Sequence, residues 1–273
     1  MEYINMQKFT ILKTVSLAFC VFGFIAGTLS TASAAPSSNV AWTSETRNLI
    51  KNANLENGEK IAEKCGKCHG ADGTDATPIE EEDTPFLAGQ VAHANYKQII
   101  DYQDKKRDDK IMLKKVRKLS KQDVADVSAF YATQSLPVSS VDSAKVTPEA
   151  VKMATRGAGE RFLPPCAGCH GLKGEGSIVD VPALAGQSVS YFVTTMMAYK
   201  EEDRENDIYS RMRFIAGELS EKEITELADY YASIGTGTKL LVVESADEEE
   251  PESEPATPET ETPDASSPPK DAS

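Results

Sequence analysis

Two pentapeptides, Cys65-Gly66-Lys67-Cys68-His69 and Cys166-Ala167-Gly168-Cys169-His170, carry the most specific chemistry in the chain. Two thiols three positions apart, followed at once by an imidazole, are the attachment signal for c-type haem. The thiols add across two vinyl groups and the histidine reaches the iron from the same loop. On this reading Cys65, Cys68, Cys166 and Cys169 hold two covalent haem c groups, with His69 and His170 as proximal iron ligands. Paired cysteines also build zinc sites and thioredoxin-like redox pairs, but neither use requires a histidine after the second cysteine, twice.

Haem iron that only exchanges electrons needs a sixth ligand, and methionine is a common one. Between the N-terminal segment and residue 150 the only methionine is Met112, whereas the second half offers Met153, Met196, Met197 and Met212. Met112 and Met212 each stand eight residues before a serine, Ser120 and Ser220, which selects Met212. Met196 and Met197 lie in an apolar stretch with Phe192 and Tyr199 and read as core. His93 is the alternative ligand for a bis-histidine first iron, although its polar surroundings read as surface. A carbonyl at Pro85 or Pro182 could accept the Nδ1 proton of the proximal imidazole and fix its orientation; the alternative is a proline that only shapes a loop. Arg107 and Arg204 match haem propionates in charge and fork geometry, or are ordinary exposed arginines.

These residues must be positioned by a repeated unit. The motifs recur about 100 residues apart, a period that marks an internal repeat. Pro85-Phe86-Leu87-Ala88-Gly89-Gln90 answers Pro182-Ala183-Leu184-Ala185-Gly186-Gln187, and an arginine follows each final Gln after seventeen residues. Ser120 with Asp123, and Ser220 with Glu223, have capping-box spacing. Behind them Val124, Val127 and Tyr131 match Ile224, Leu227 and Tyr231, one apolar helix face in each half. Segments 58–64, 94–102, 148–153 and 191–199 also read as helices, and no convincing alternating strand pattern appears. The fold class is therefore all-α: a first domain over 35–138 and a second over 139–240, joined by the Ser-, Val- and Pro-rich stretch 136–148.

The flanks differ in kind. Lys8 and Lys13 precede an apolar run, Val15 to Ala26, and small residues end at Ala32-Ser33-Ala34, the pattern of a signal peptide over 1–34 and hence of periplasmic export. Its removal leaves only the two cysteine pairs, with none for a long-range disulfide. Of the formal charge of -14, residues 244–273 supply eleven Asp/Glu against one Lys. Segment 241–273 is too polar to fold and reads as a disordered acidic tail. It is a solvated tail, a steering device for a basic partner, or a spacer from an anionic membrane, so peripheral membrane association stays open. An acidic chain is a poor binder of nucleic acid, which needs clustered Lys and Arg.

The two Cys-x-x-Cys-His motifs, the two Leu-Ala-Gly-Gln segments and the Met-to-Leu-Ser spacings resemble the dihaem cytochrome c4 family over about residues 50–235. The second half is closer, through Arg204-Glu205-Asn206-Asp207 and Met212-Arg213-Phe214-Ile215-Ala216. The first has Ala94 where Tyr191 stands in the second, and a ligand loop three residues shorter. The resemblance implies two class I cytochrome c domains with facing haems. It also implies electron delivery from the cytochrome bc complex toward a terminal oxidase. The expected function is a non-enzymatic electron carrier between redox proteins. An alternative is the cytochrome subunit of a dehydrogenase, such as a flavoprotein sulfide dehydrogenase. A peroxidase-like open iron would require one haem to lack its methionine.

Overall fold

A computed structural model describes residues 37–74, 83–136, 141–177 and 179–235. The signal peptide over 1–34 and the acidic tail over 241–273 lie outside them, as does the domain boundary, which falls within 137–140. Ten helices form the described chain: α1 (Ser44–Lys51), α2 (Leu55–His69), α3 (Ala92–Gln103), α4 (Lys110–Val116), α5 (Lys121–Ala132), α6 (Pro148–Arg156), α7 (Ala167–His170), α8 (Val189–Lys200), α9 (Arg211–Glu218) and α10 (Glu221–Ser233). The described residues contain no strand, only isolated bridges of Ala158 with Leu163 and Ser177 with Val181. Among them no helix is long and apolar enough to cross a membrane.

The four helical segments anticipated from sequence are parts of α2, α3, α6 and α8. Helices α1, α4, α7 and α9 were not anticipated, because eight residues or fewer show too little periodicity to register. In addition, α9 has no capping signature: Ser210 precedes it with φ 55° and makes no side-chain cap. The halves differ before the cysteines. Helix α2 runs unbroken through the motif, whereas α6 stops at Gly157, whose φ is 71°. Pro164 and Pro165, which lack amide donors, then lead into the short α7.

The closing helices α5 and α10 are the hubs. Helix α5 packs on α1, α2 and α3; α10 packs on α6 and α8, and α9 lies on α8. Their stripes are buried as the pattern requires, with Val124, Val127, Tyr131, Ile224, Leu227 and Tyr231 each at most 2% exposed. Complete burial of such side chains contributes about 1.5–3 kcal/mol apiece. Both capping boxes are formed, Ser120 with Asp123 and Ser220 with Glu223.

The Leu-Ala-Gly-Gln segments are tied in by a repeated hydrogen-bond set. The Gly73 carbonyl accepts from the amides of Leu87 and Ala88, and the Gly174 carbonyl from those of Leu184 and Ala185; Gly89 and Gly186 donate to the carbonyls of Tyr131 and Tyr231. Glycine is required at 73 and 174, where φ is 82° and 69° and a Cβ would lie 2.9 Å and 2.8 Å from the tyrosine rings.

The two halves meet through polar contacts. Lys97 donates to Asp101 on its own helix and to the Asn206 carbonyl of the second half, both at 2.6 Å. Lys97, Asp101 and Asn206 are each at most 2% exposed, so this ion pair is held by its hydrogen bonds rather than by solvent.

The Arg161 guanidinium beside Glu223, helped by Ser220, holds that carboxyl at about 2 against an ordinary 4.5. A depressed carboxyl stabilises the fold above its unfolded pKa and loses that contribution as pH falls toward the folded value. Glu223→Gln should therefore cost about 1 kcal/mol at pH 7, allowing for solvent screening. It should cost nothing near pH 2, as read from denaturant midpoints at the two pH values.

Candidate functional site

Within α2, Cys65, Cys68 and His69 fall at i, i+3 and i+4 and share one helix face. In the second half Cys166 immediately precedes α7, which contains Cys169 and ends at His170. Both imidazoles are buried, and their Nδ1 atoms lie 2.9 Å from the Pro85 carbonyl and 2.7 Å from the Pro182 carbonyl. A carbonyl only accepts, so each Nδ1 carries the proton. Nε2 keeps its lone pair and has no protein hydrogen bond among the described residues. Burial pushes both imidazoles below their ordinary pKa, favouring the neutral form that binds metals.

None of the four motif cysteines is in a disulfide. Burial pushes Cys65 and Cys166 above their ordinary pKa, the reverse of what a thioredoxin-like nucleophile needs. Among the described residues no cluster of three or more His, Cys, Asp or Glu could hold a metal ion by itself, whereas a structural zinc site takes four such ligands. One buried imidazole per motif, facing a cavity, suits a metal that arrives with its own equatorial donors.

That cavity has a volume of about 620 Å³ and spans both halves. Its wall contains every anticipated site residue: Cys65, Cys68, His69, Pro85, Arg107 and Met112 from the first half, and Cys166, Cys169, His170, Pro182, Arg204 and Met212 from the second. Met112 stands in the first turn of α4, its amide donating to the Asp109 cap. Met212 is also in a first turn, as the second residue of α9, which has no side-chain cap. His93 lies elsewhere, its ring 5.1 Å from that of Trp42, and Met196 is buried in the second core as expected. Buried polar atoms on the wall, among them Asn95 Nδ2 and Ser128 Oγ, have no hydrogen-bond partner, which marks the cavity as built for an occupant.

Arg107 and Arg204 are not surface arginines. Each stacks on the tyrosine five residues earlier, at 4.7 Å from the Tyr102 centroid and 4.6 Å from that of Tyr199. Both donate to the single Oε1 of Gln98, at 3.0 Å and 2.9 Å. Arg107 also donates to the Tyr191 hydroxyl, and Arg204 to the Asn206 side chain. No salt bridge among the described residues includes either arginine. Burial alone would raise the Tyr191 pKa, but Arg107 and then Arg204 pull it down to about 7. Two guanidinium groups without a carboxylate partner of their own suit the carboxylates of a haem. Tyr102, Tyr199 and Gln98 escaped the sequence reading, although a Tyr five residues before each Arg was a visible signal.

Two covalent-attachment motifs on one helical scaffold, opening on one apolar-walled cavity, define a dihaem c-type cytochrome. The cytochrome c family model matches residues 55–135. The chain is 34% identical over 175 residues to a cytochrome c4 of Pseudomonas aeruginosa, covering 63% of this chain and 85% of that one. It is 32% identical over 198 residues to the "Thiosulfate dehydrogenase electron acceptor" of Stutzerimonas stutzeri, covering 68% and 90%. A crystal structure of reduced cytochrome c4 from Pseudomonas stutzeri matches with a TM-score of 0.62 at 30% identity, over 67% of this chain and 99% of that one. The chain belongs to the cytochrome c4 family. It is an electron-transfer protein with covalently bound haem c, not an enzyme.

Proposed function

We propose that the chain carries single electrons between periplasmic redox partners through two His/Met-ligated haems. When bound, haem supplies the iron that changes oxidation state; the chain's residues fix its geometry and surroundings. Cys65 and Cys68, and Cys166 and Cys169, anchor the two groups. His69 with Met112, and His170 with Met212, would hold the two irons, and a full ligand set would let each iron change charge without opening a site to solvent. Pro85 and Pro182 hold the imidazoles in one tautomer and orientation. Arg107 and Arg204 neutralise propionates. The observation that carries this reading is the matched pair of imidazole-to-proline-carbonyl hydrogen bonds on the wall of one cavity. The proposed division is a signal peptide over 1–34, domains over 35–138 and 139–240, and an acidic tail over 241–273. Family likeness supports the cytochrome bc complex as donor and a terminal oxidase as acceptor.

The oxidised protein should show the weak long-wavelength absorption of methionine sulfur bound to ferric haem at two haems' strength. Met112→Ala and Met212→Ala should each halve it. Half-strength absorption in the unsubstituted protein would mean that one iron has another ligand or an open site, which would overturn the paired His/Met assignment and reopen the peroxidase-like reading.

The flanks of the two methionines differ in charge. Around Met112, Lys110, Lys114, Lys115, Arg117 and Lys118 are exposed; before Met212, Glu201, Glu202, Asp203 and Glu205 are exposed. Such fields steer partners of opposite sign, so donor and acceptor would dock on chemically different faces. Reversing charge with Lys114→Glu and Lys115→Glu should slow oxidation by an anionic iron–cyanide complex about tenfold at low salt. The difference should fade as salt shortens the screening length; equal rates at low salt would contradict the assignment.

The Stutzerimonas relative favours a second reading, in which the electron donor is a dehydrogenase of a reduced sulfur compound. Its name points to thiosulfate dehydrogenase in that organism, which fits only loosely the alternative of a dehydrogenase subunit, for which a flavoprotein sulfide dehydrogenase was the example. A stable complex with such an enzyme would favour this reading over the collisional carrier.

A further inference from the structure

Gln90 and Gln187 were landmarks of the repeat with no assigned role, and the structure places each against the other half's histidine anchor. The Gln187 side chain accepts from the Phe86 amide at 2.9 Å and donates to the Phe86 carbonyl at 3.0 Å. The Gln90 side chain accepts from the Ala183 amide at 2.7 Å and donates to the Ala183 carbonyl at 3.0 Å. Phe86 and Ala183 directly follow Pro85 and Pro182. The amide that donates to each glutamine therefore belongs to the same peptide group whose carbonyl accepts the buried imidazole's Nδ1 proton.

Each half thus contains an unbroken chain of hydrogen bonds that begins in the other half. It runs from the Gln187 Oε1 through the Pro85–Phe86 peptide to His69, and from the Gln90 Oε1 through the Pro182–Ala183 peptide to His170. The acceptors are well placed, since each Oε1 also takes the amide of the following residue, Val91 or Ser188.

We propose that Gln90 and Gln187 are crossed positioning residues, each setting the reduction potential of the haem in the opposite domain. Accepting from a peptide N–H makes that peptide's carbonyl oxygen more negative, because hydrogen bonds in a chain polarise one another. A stronger carbonyl acceptor draws the Nδ1 proton outward and makes the imidazole a stronger donor through Nε2, which favours the oxidised iron. Loss of the glutamine acceptor therefore raises the potential of the other domain's haem. Because docking of the halves makes these contacts, any partner that loosens the interface raises both potentials together. This inference rests on the assignment of His69 and His170 as iron ligands.

The test is a redox titration of the holoprotein, with each haem followed separately by its own ring-methyl NMR signals. Gln187→Met keeps length but removes the acceptor. It should raise the potential of the haem at Cys65–His69, by up to about tenfold in its one-electron equilibrium, which is about 59 mV, and leave the haem at Cys166–His170 in place. Gln90→Met should do the opposite. If either variant fails to retain haem, Gln187→Glu and Gln90→Glu, with stronger acceptors, make the same test with the opposite-domain haem moving down by more than the near one. Equal movement of both haems in each variant, movement of the near haem alone, or no movement would overturn the proposal. The optical spectrum separates this from failure of the ligand assignment: unchanged axial absorption with unmoved potentials sinks only the crossed relay, whereas the absence of histidine ligation in the unsubstituted protein sinks its premise.

Discussion

The hydrogen bond from a buried imidazole to a proline carbonyl, made once in each half, is the contact on which the other features converge. Removing an imidazole from water is tolerable only if its N–H finds an acceptor. The proline carbonyl supplies that acceptor, and it can do so only if the Pro-x-Leu-Ala-Gly-Gln segment crosses the cysteine motif at a fixed height. The carbonyls of Gly73 and Gly174 set that height, and the closing helices receive the other end of the segment at Tyr131 and Tyr231. Motif, loop and hub helix are therefore one unit, repeated.

Much of this was legible in the chain because chemistry and periodicity are local. The Cys-x-x-Cys-His motifs name their own cofactor, and the stripes of α5 and α10 follow a 3.6-residue period behind serine caps. The duplication was as informative as any single motif, since it separated Met212 from three other methionines. What stayed hidden depends on contacts distant in sequence. Short helices α4 and α9, which carry Met112 and Met212, have too few turns to announce themselves. Gln98 gave no signal because its importance comes from two arginines, one of them 106 positions away. The arginines read equally well as surface residues until the second half was set against the first.

The cavity also explains an otherwise costly arrangement. Two guanidinium groups converge on one neutral amide oxygen, while the ion pair of Lys97 with Asp101 is itself buried. Isolated buried charge is expensive, and the proposed pairing of these guanidinium groups with propionates would offset that cost. A mostly apolar wall with a few convergent polar groups is a division of labour that ligand sites commonly show. Tyr102 and Tyr199 hold the guanidinium planes in place by stacking.

The central claim is that each repeat is built around its own covalently attached haem, and the most direct measurement is the mass of the purified holoprotein under denaturing conditions. The account predicts two haem masses added to the polypeptide, falling to one when Cys65 and Cys68 are both replaced by alanine and likewise when Cys166 and Cys169 are. A bare polypeptide mass, a mass reduced only by disulfide formation, or one haem in the unsubstituted protein would contradict it.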